Sequence, residues 1–223
     1  MNEIVKRELS KEMKYKNKVV LKYKIVYPEM IESIFLVGKK EFNEYYLDKA
    51  RKAQKYAENE LYKMAVEGYE YSVQNNYPVM QYELVSEYTV TYNELCVVSL
   101  YTDEYIFTGG AHGNTIRTSE TWNLKTGKII TLEELYPNNP NFKTDIIREI
   151  NLQIANEISL GNNIYFDDYA ELVVKSFNPK SFYLTPLGVS IYYQQYDIAP
   201  YSSGILNFVI DYNVMKVELP YCF

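Results

Sequence analysis

The chain has one histidine, and it sits among glycines. Tyr105–Thr115 reads YIFTGGAHGNT, with Gly109, Gly110, His112 and Gly113 inside five residues. An imidazole can act as general base, metal ligand or hydrogen-bonding partner, so chemistry is sought here first. A Ser-His-Asp or Cys-His centre would have to use His112. The GxSxG elbow that presents a nucleophilic serine is absent, and GGAHG has the wrong order for the glycine-rich oxyanion segments of esterases. A zinc site needs three or four ligands, usually with more than one His or Cys, which one His and two remote cysteines do not supply. There is no DxDxDG calcium loop. Asp103–Glu104 and Asp167–Asp168 are adjacent acids, which point different ways on a helix or strand, so they read as solvated acids and not as a glycosidase pair. A phosphate cradle needs glycines that lead a strand into a helix, and the residues after Gly113 read as strand. The sequence thus indicates no catalytic residue, no metal site and no cofactor. What remains is a shaped loop. Consecutive glycines permit positive φ and close backbone approach. Either His112 satisfies backbone groups in an internal turn, or Thr108, Gly109, Gly110, Ala111, His112, Gly113 and Asn114 form a recognition loop on a rigid sheet, flanked by Tyr105 and Phe107.

The elements that must carry this loop follow from pattern. VVLKYKIVYPEM (Val19–Met30) sets Leu21, Tyr23, Ile25 and Tyr27 against Lys22 and Lys24, a strand period that Pro28 is expected to end. A short apolar run follows at Ile34–Val37. Phe42, Tyr46, Ala50, Ala53, Ala57, Leu61, Met64, Gly68 and Tyr71 then recur at three- and four-residue steps, which predicts one long amphipathic helix. Its small residues would let it lie close to a sheet. MQYELVSEYTVTYN and LCVVSLYTDEYIF alternate as strands, and NTIRTSETWNL follows the glycines as another, turning at Thr126–Gly127 into a hairpin partner. Thr131 is placed to cap a short helical turn with Glu133 and Glu134 near its start. A second amphipathic helix carries Ile147, Ile150, Ile154 and Ile158, with Gly161 beyond its end. FDDYAELVVKSF reads as a third, shorter helix. Phe182–Leu184 and Val189–Tyr193 form a hairpin about Thr-Pro-Leu-Gly, and GILNFVIDYNV holds a final strand. This order indicates α+β: antiparallel sheets packed against one long and one or two shorter amphipathic helices. The boundaries are two closely joined subdomains, 15–113 ending in the TGGAHG loop and 114–220.

At 223 residues the chain can bury a core without staples. It has 25 Tyr against 9 Phe and 1 Trp; an apolar ring with a polar tip suits core edges and interfaces. Net charge is -6, which argues against nucleic acid and anionic membrane surfaces and is compatible with a basic protein partner. Cys96 and Cys222 have no motif spacing; they pair if the C-terminus returns to the strand near Cys96, but two buried free thiols are the expectation. MNEIVKRELSKEMKYKNK is charged and has no apolar h-region, and no run approaches the roughly 20 apolar residues of a membrane span. The expectation is therefore no signal peptide, no anchor and no membrane span in this chain.

Two stretches are familiar. YTDEYIFTGGAHGNTIRTSETWNLKTGKIITLEELY resembles a signature joining two domain families of unknown function that occur together. FYLTPLGVSIYYQQYDIAPYSSGILNFVIDY resembles the end of the second family, with its hairpin, its Y-x-IAPY segment and its closing strand. Such a tandem occurs in the extracellular part of the RsiV lysozyme-sensing anti-sigma factor, and a similar region precedes the catalytic domain of the PdaC peptidoglycan deacetylase. The resemblance spans roughly Val19 to Val217. It implies a non-catalytic, usually extracytoplasmic α+β module that binds lysozyme, a basic protein, or a peptidoglycan fragment. Thr108 to Asn114, with Tyr192, Tyr196, Ile198, Pro200 and Tyr201, would then face the partner. The chain lacks a sigma-binding segment and a deacetylase domain, so neither parent function is complete in it. Two rival readings are a hydrolase using His112 with loop carboxylates such as Asp168, and a purely structural or oligomerising domain.

Overall fold

The computed structural model describes residues 2–222. They form two compact units. The first comprises residues 2–88 with Thr102–Ile116; the second comprises Thr89–Tyr101 with residues 117–222.

In the first unit, β1 (Glu3–Tyr15) and β2 (Lys18–Glu32) form a long antiparallel hairpin. Its turn places Lys16 and Asn17 at φ 46 and 64, the left-handed pair that matches the twist of two-residue hairpins. β2 runs on through Pro28, contrary to expectation. Its pairing with β3 covers only Leu21–Ile25, so on that side the ladder has already ended and a residue without an N–H is tolerated. A continuous helix follows: α1 (Leu36–Tyr56), a π-turn (Ala57–Leu61) and α2 (Tyr62–Gln74). It carries the chain back to the end where β2 began, so β3 (Tyr82–Glu94) pairs with β2 in parallel. The sheet is therefore mixed, with a parallel β2–β3 pair where antiparallel sheets were expected, within the expected α+β class. Ala50, Ala57 and Ala65 pack with Leu61 against Val20, Leu21, Tyr23, Ile25 and Leu84. Alanines bring the helix close to the strands, as their small volume demands.

The π-turn moves the helix out of phase. A π-turn inserts one extra residue into the helical ladder. Beyond Leu61 the buried position is Ala65, while the expected Met64 and Tyr71 face solvent.

β4 (Val97–Phe107), β5 (Asn114–Asn123) and β6 (Lys128–Ile129) complete a six-stranded sheet ordered β1-β2-β3-β4-β5-β6. β3, β4 and β5 each contain residues of both units. In the second unit, Thr131 and Glu134 cap each other: the Glu134 carboxylate accepts from the Thr131 N–H at 2.7 Å, and the Glu134 N–H donates to the Thr131 hydroxyl at 3.3 Å. This opens a short 3-10 turn at Glu133–Leu135. α3 (Phe142–Ser159) buries Phe142, Ile146, Ile150 and Ile154, with the expected Ile147 and Ile158 only half-buried. It stops in a Schellman motif, where Gly161 (φ 89) donates to Ile158 and Asn162 donates to Glu157. After α4 (Tyr169–Lys175), strands β7 (Phe182–Thr185), β8 (Gly188–Tyr193) and β9 (Leu206–Asp211) form an antiparallel three-stranded sheet. The α3 side chain of Gln153 donates to the Val209 carbonyl at 3.0 Å, tying the helix to β9.

The cysteines are not free. Cys96 and Cys222 form a disulfide across 126 residues of chain. The C-terminal segment returns to the start of β4, and earlier in that segment the Glu218 N–H donates to the carbonyl of Leu135 in the 3-10 turn at 3.0 Å. Spacing alone carried no sign of that return.

Candidate recognition loops

Two segments singled out from the sequence lie one in each unit. In the first unit, Thr108–Gly113 connects β4 to β5. Gly109 and Gly110 sit at φ 95 and 94, where side chains are disfavoured. Gly113 is buried for a different reason. A Cβ there would lie 2.6 Å from the Ile106 carbonyl oxygen and inside the Tyr105 ring. Thr108, Gly110, Ala111, His112 and Asn114 face solvent. His112 Nδ1 lies 2.9 Å from the Gly113 carbonyl oxygen, which can only accept, so Nδ1 carries a proton. Gly109 approaches Met80, whose Cβ would be 3.7 Å from a Cβ added at the glycine.

The second unit holds Gln194–Gly204, the loop between β8 and β9. Tyr192 is 3% exposed and Ile198 is 1% exposed. They are core residues of the loop's base and cannot themselves reach a partner. The Tyr192 hydroxyl donates to the Arg117 carbonyl at 3.3 Å and lies 3.2 Å from the Ser119 hydroxyl; burial raises its pKa. Tyr196, in contrast, is 56% exposed at φ 68. Pro200 is exposed, Tyr201 is half-buried, and the Tyr196 and Tyr201 rings lie 5.8 Å apart.

Several contacts hold this loop. The Gln194 side chain pairs with the Arg117 backbone, accepting from its N–H at 3.0 Å and donating to its carbonyl at 2.7 Å, as a neighbouring strand would. The Asp197 carboxylate accepts from the Gln194 N–H at 2.7 Å. Burial raises the Asp197 pKa, and that same amide bond works in the opposite direction. The Phe166 N–H donates to the Ile198 carbonyl at 3.1 Å, and the Ser203 hydroxyl to the Ile164 carbonyl at 3.3 Å. Arg117 stacks 3.7 Å from the Tyr101 ring centre, and its guanidinium donates to Asn207 at 3.0 Å. Gln194, Asp197 and Arg117 were not singled out from sequence. The Gln-x-x-Asp spacing of a side chain closing a turn on its own backbone was the available signal.

Two family models match the chain in tandem. Residues 14–115 match the family described as Deacetylase PdaC, and residues 133–213 match a protein of unknown function, DUF3298. The Thr108–Asn114 loop falls in the first and Tyr192–Tyr201 in the second. Among solved structures, a DUF3298 family member from Bacteroides fragilis superposes with a TM-score of 0.71 at 17% identity, covering 98% of this chain and 94% of that one. A DUF3298 family protein from Pseudomonas aeruginosa gives 0.63 at 16% identity, covering 97% and 95%. At these identities the likeness is one of fold. No curated protein matches the chain.

Charge divides unevenly between the units. Counting Asp and Glu against Lys and Arg, the second unit holds 13 acids and 8 bases; the first holds 16 and 15. The net -6 thus splits as -5 and -1. The second unit also has a cleft of about 300 Å³ lined by Tyr136, Asn139, Asp145, Arg148, Lys216 and Glu218. Asp145 already accepts from Arg148 at 3.1 Å and from Asn139 at 3.0 Å. Among the described residues, no three His, Cys, Asp or Glu side chains are placed to share a metal ion, and no helix is long and apolar enough to cross a membrane.

Proposed function

We propose that this chain is a non-catalytic binding and sensing module of the cell-envelope type, whose partner is a basic protein such as lysozyme or a peptidoglycan-related ligand. The observation that carries the reading is the loop bearing Tyr196, Pro200 and Tyr201. It presents exposed aromatic surface from a backbone fastened at Gln194, Asp197 and Ile198. Rigid tyrosines give contact area at small entropic cost on binding. The unit that carries the loop holds nearly all the chain's net negative charge, which steers a cationic partner towards it. The Cys96–Cys222 bridge supports an oxidising compartment, as expected for an extracytoplasmic module. The tandem of family matches fits the same class.

Isothermal titration of the full chain against lysozyme, and separately against soluble muropeptides, tests the reading. Saturable binding that Tyr196→Ala and Tyr201→Ala weaken supports it. For lysozyme, affinity should also fall with added salt. No heat, and no shift in melting temperature, with either probe removes the proposal.

A further inference from the structure

In the second unit, β9 ends at Asp211, and residues 213–222 run on as a strap with neither helix nor strand. Its root is fixed: the Tyr212 hydroxyl donates to the Thr185 carbonyl at 2.7 Å. Beyond that point the strap hides little. Only Met215 and Cys222 are buried, while Val214 is 64% exposed and Tyr221 is 81%. Its noncovalent fastenings are sparse. The Val217 N–H donates to the Tyr212 carbonyl at 3.1 Å, the Glu218 N–H to the Leu135 carbonyl at 3.0 Å, and the Asn138 amide to the Glu218 carboxylate at 2.7 Å. The Lys125 ammonium lies 5.6 Å from the centre of the Tyr221 ring. Against these stands the entropy of ordering the whole segment. Lys216 adds to that cost, because it is held at φ 51, a conformation that residues with side chains disfavour. The Cys96–Cys222 bond is the one covalent fastening.

The strap is also a wall. One cavity, of about 300 Å³, lies between Asp145, Arg148 and Glu149 of α3 and Val214, Met215 and Lys216 of the strap. A second, of about 490 Å³, lies between Lys128, Ile129 and Ile130 beside β6 and Leu219 and Pro220 of the strap. Glu218 lines both. Removing the strap would open the surface from α3 to β6. The buried stripe of α3 and the ladder of β7, β8 and β9 contain no strap residue, so neither depends on it.

We propose that the Cys96–Cys222 bond is a redox latch: a dithiol that reduces it frees residues 213–222 and unwalls both cavities, while the rest of the second unit stays folded. The proposal stands apart from recognition by Tyr196 and Tyr201. In the reaction one thiolate of the dithiol attacks a bridge sulfur, and its second thiol resolves the mixed disulfide. The reagent leaves as a disulfide, and Cys96 and Cys222 each keep a proton and one electron of the pair. Cys96 is 0% exposed and Cys222 is 7%, beside the exposed Tyr221, so the approach is from the strap side. An oxidising compartment keeps the latch shut, and a reduced Cys-x-x-Cys protein has the chemistry to open it.

Hydrogen exchange read by mass spectrometry tests this on the full chain, oxidised and treated with dithiothreitol, with thiols counted after treatment. On reduction, the amides of Val217 and Glu218 should exchange about tenfold faster or more, while those of α3 and β8 keep their rates. Trypsin should then cut after Lys216 in the reduced chain well before it does so in the oxidised one. Cys222→Ser should show the freed pattern with or without dithiothreitol. Unchanged exchange at Val217 and Glu218 in the reduced chain overturns the proposal, since the strap then holds without its bridge. Equal acceleration in α3 and β8, or a Cys222→Ser chain that does not fold, also overturns it, because the bridge then holds the whole unit. So does a bridge that dithiothreitol leaves intact in the folded chain.

Discussion

Removing the Cys96–Cys222 bridge should cost the protein a large share of its stability, through the unfolded chain more than through lost native contacts. The bridge closes a loop of 126 residues. The chain-entropy relation assigns about 5 kcal/mol to a loop of that length, and measured bridges fall nearer 2–4 kcal/mol. Native contacts at the bridge are few: the Cys96 N–H approaches the Cys222 sulfur at 3.2 Å, and the Leu124 N–H donates to the Cys96 carbonyl at 2.7 Å. The second of these survives reduction. We therefore expect Cys222→Ala, or the reduced parent, to lose about 3–4 kcal/mol. For a chain of this size that lowers Tm by about 6–16 °C. Urea unfolding of the oxidised, reduced and substituted forms is the assay, with thiol titration on the denatured but unreduced parent. Freeing the loop expands the unfolded chain, so the urea dependence should steepen in the reduced form. Two titratable thiols in that denatured parent would refute the bridge. Equal midpoints and equal slopes in all three forms would refute the loop-entropy reasoning while leaving the bridge.

Gly113→Ala should destabilise by about 1–3 kcal/mol, because the new methyl meets the Ile106 carbonyl oxygen, which is backbone and cannot swing aside; thermal melting checks it. Gln194→Ala removes the acceptor of the Arg117 N–H, costs about 1 kcal/mol, and should weaken lysozyme binding with Tyr196 and Tyr201 intact; paired melting and titration separate the two effects. Burial raises the pKa of Tyr136, Tyr165, Tyr193 and Tyr212. Unfolded tyrosines ionise near pH 10 while these stay protonated in the fold, so their contribution is complete below about pH 10 and lost as pH climbs above it. Denaturation midpoints measured from about pH 8 to 12 should fall on the alkaline side, and a flat profile would contradict the burial argument.

The long helix was legible because Phe42, Tyr46, Ala50, Ala57 and Leu61 keep a clean stripe. Its continuation was misphased because a π-turn leaves no residue signature, and so Ala65 took the place expected for Met64. β1 was not read as a strand at all. Lys, Arg and Glu fill most of its length, as suits a sheet edge that must discourage pairing with other chains, and only partial burial of Val5, Leu9 and Met13 betrays the inner face. The glycine loop was legible as a connection between strands, since consecutive glycines suit the positive φ of Gly109 and Gly110 and the close approach at Gly113. Tyr192 and Ile198 could not be told from Tyr196 and Tyr201 by residue type. Whether a ring in YYQQYDIAPY points inward depends on the turn that Gln194 and Asp197 close, which is a property of the folded loop.

The second unit is assembled from two pieces of chain, Thr89–Tyr101 and residues 117–222, with the last stretch of the first unit between them. During synthesis the first unit has all its residues once position 116 has emerged. Val97, Val98 and Leu100, all fully buried at the end, must wait for residues made much later. The sulfur that locks Cys96 arrives later still, at position 222. A nascent chain would therefore carry β4 paired with its neighbouring strands but without the later residues of its unit until they follow. This makes the interval before position 222 is made the period when chaperone protection and delayed oxidation matter most for this fold.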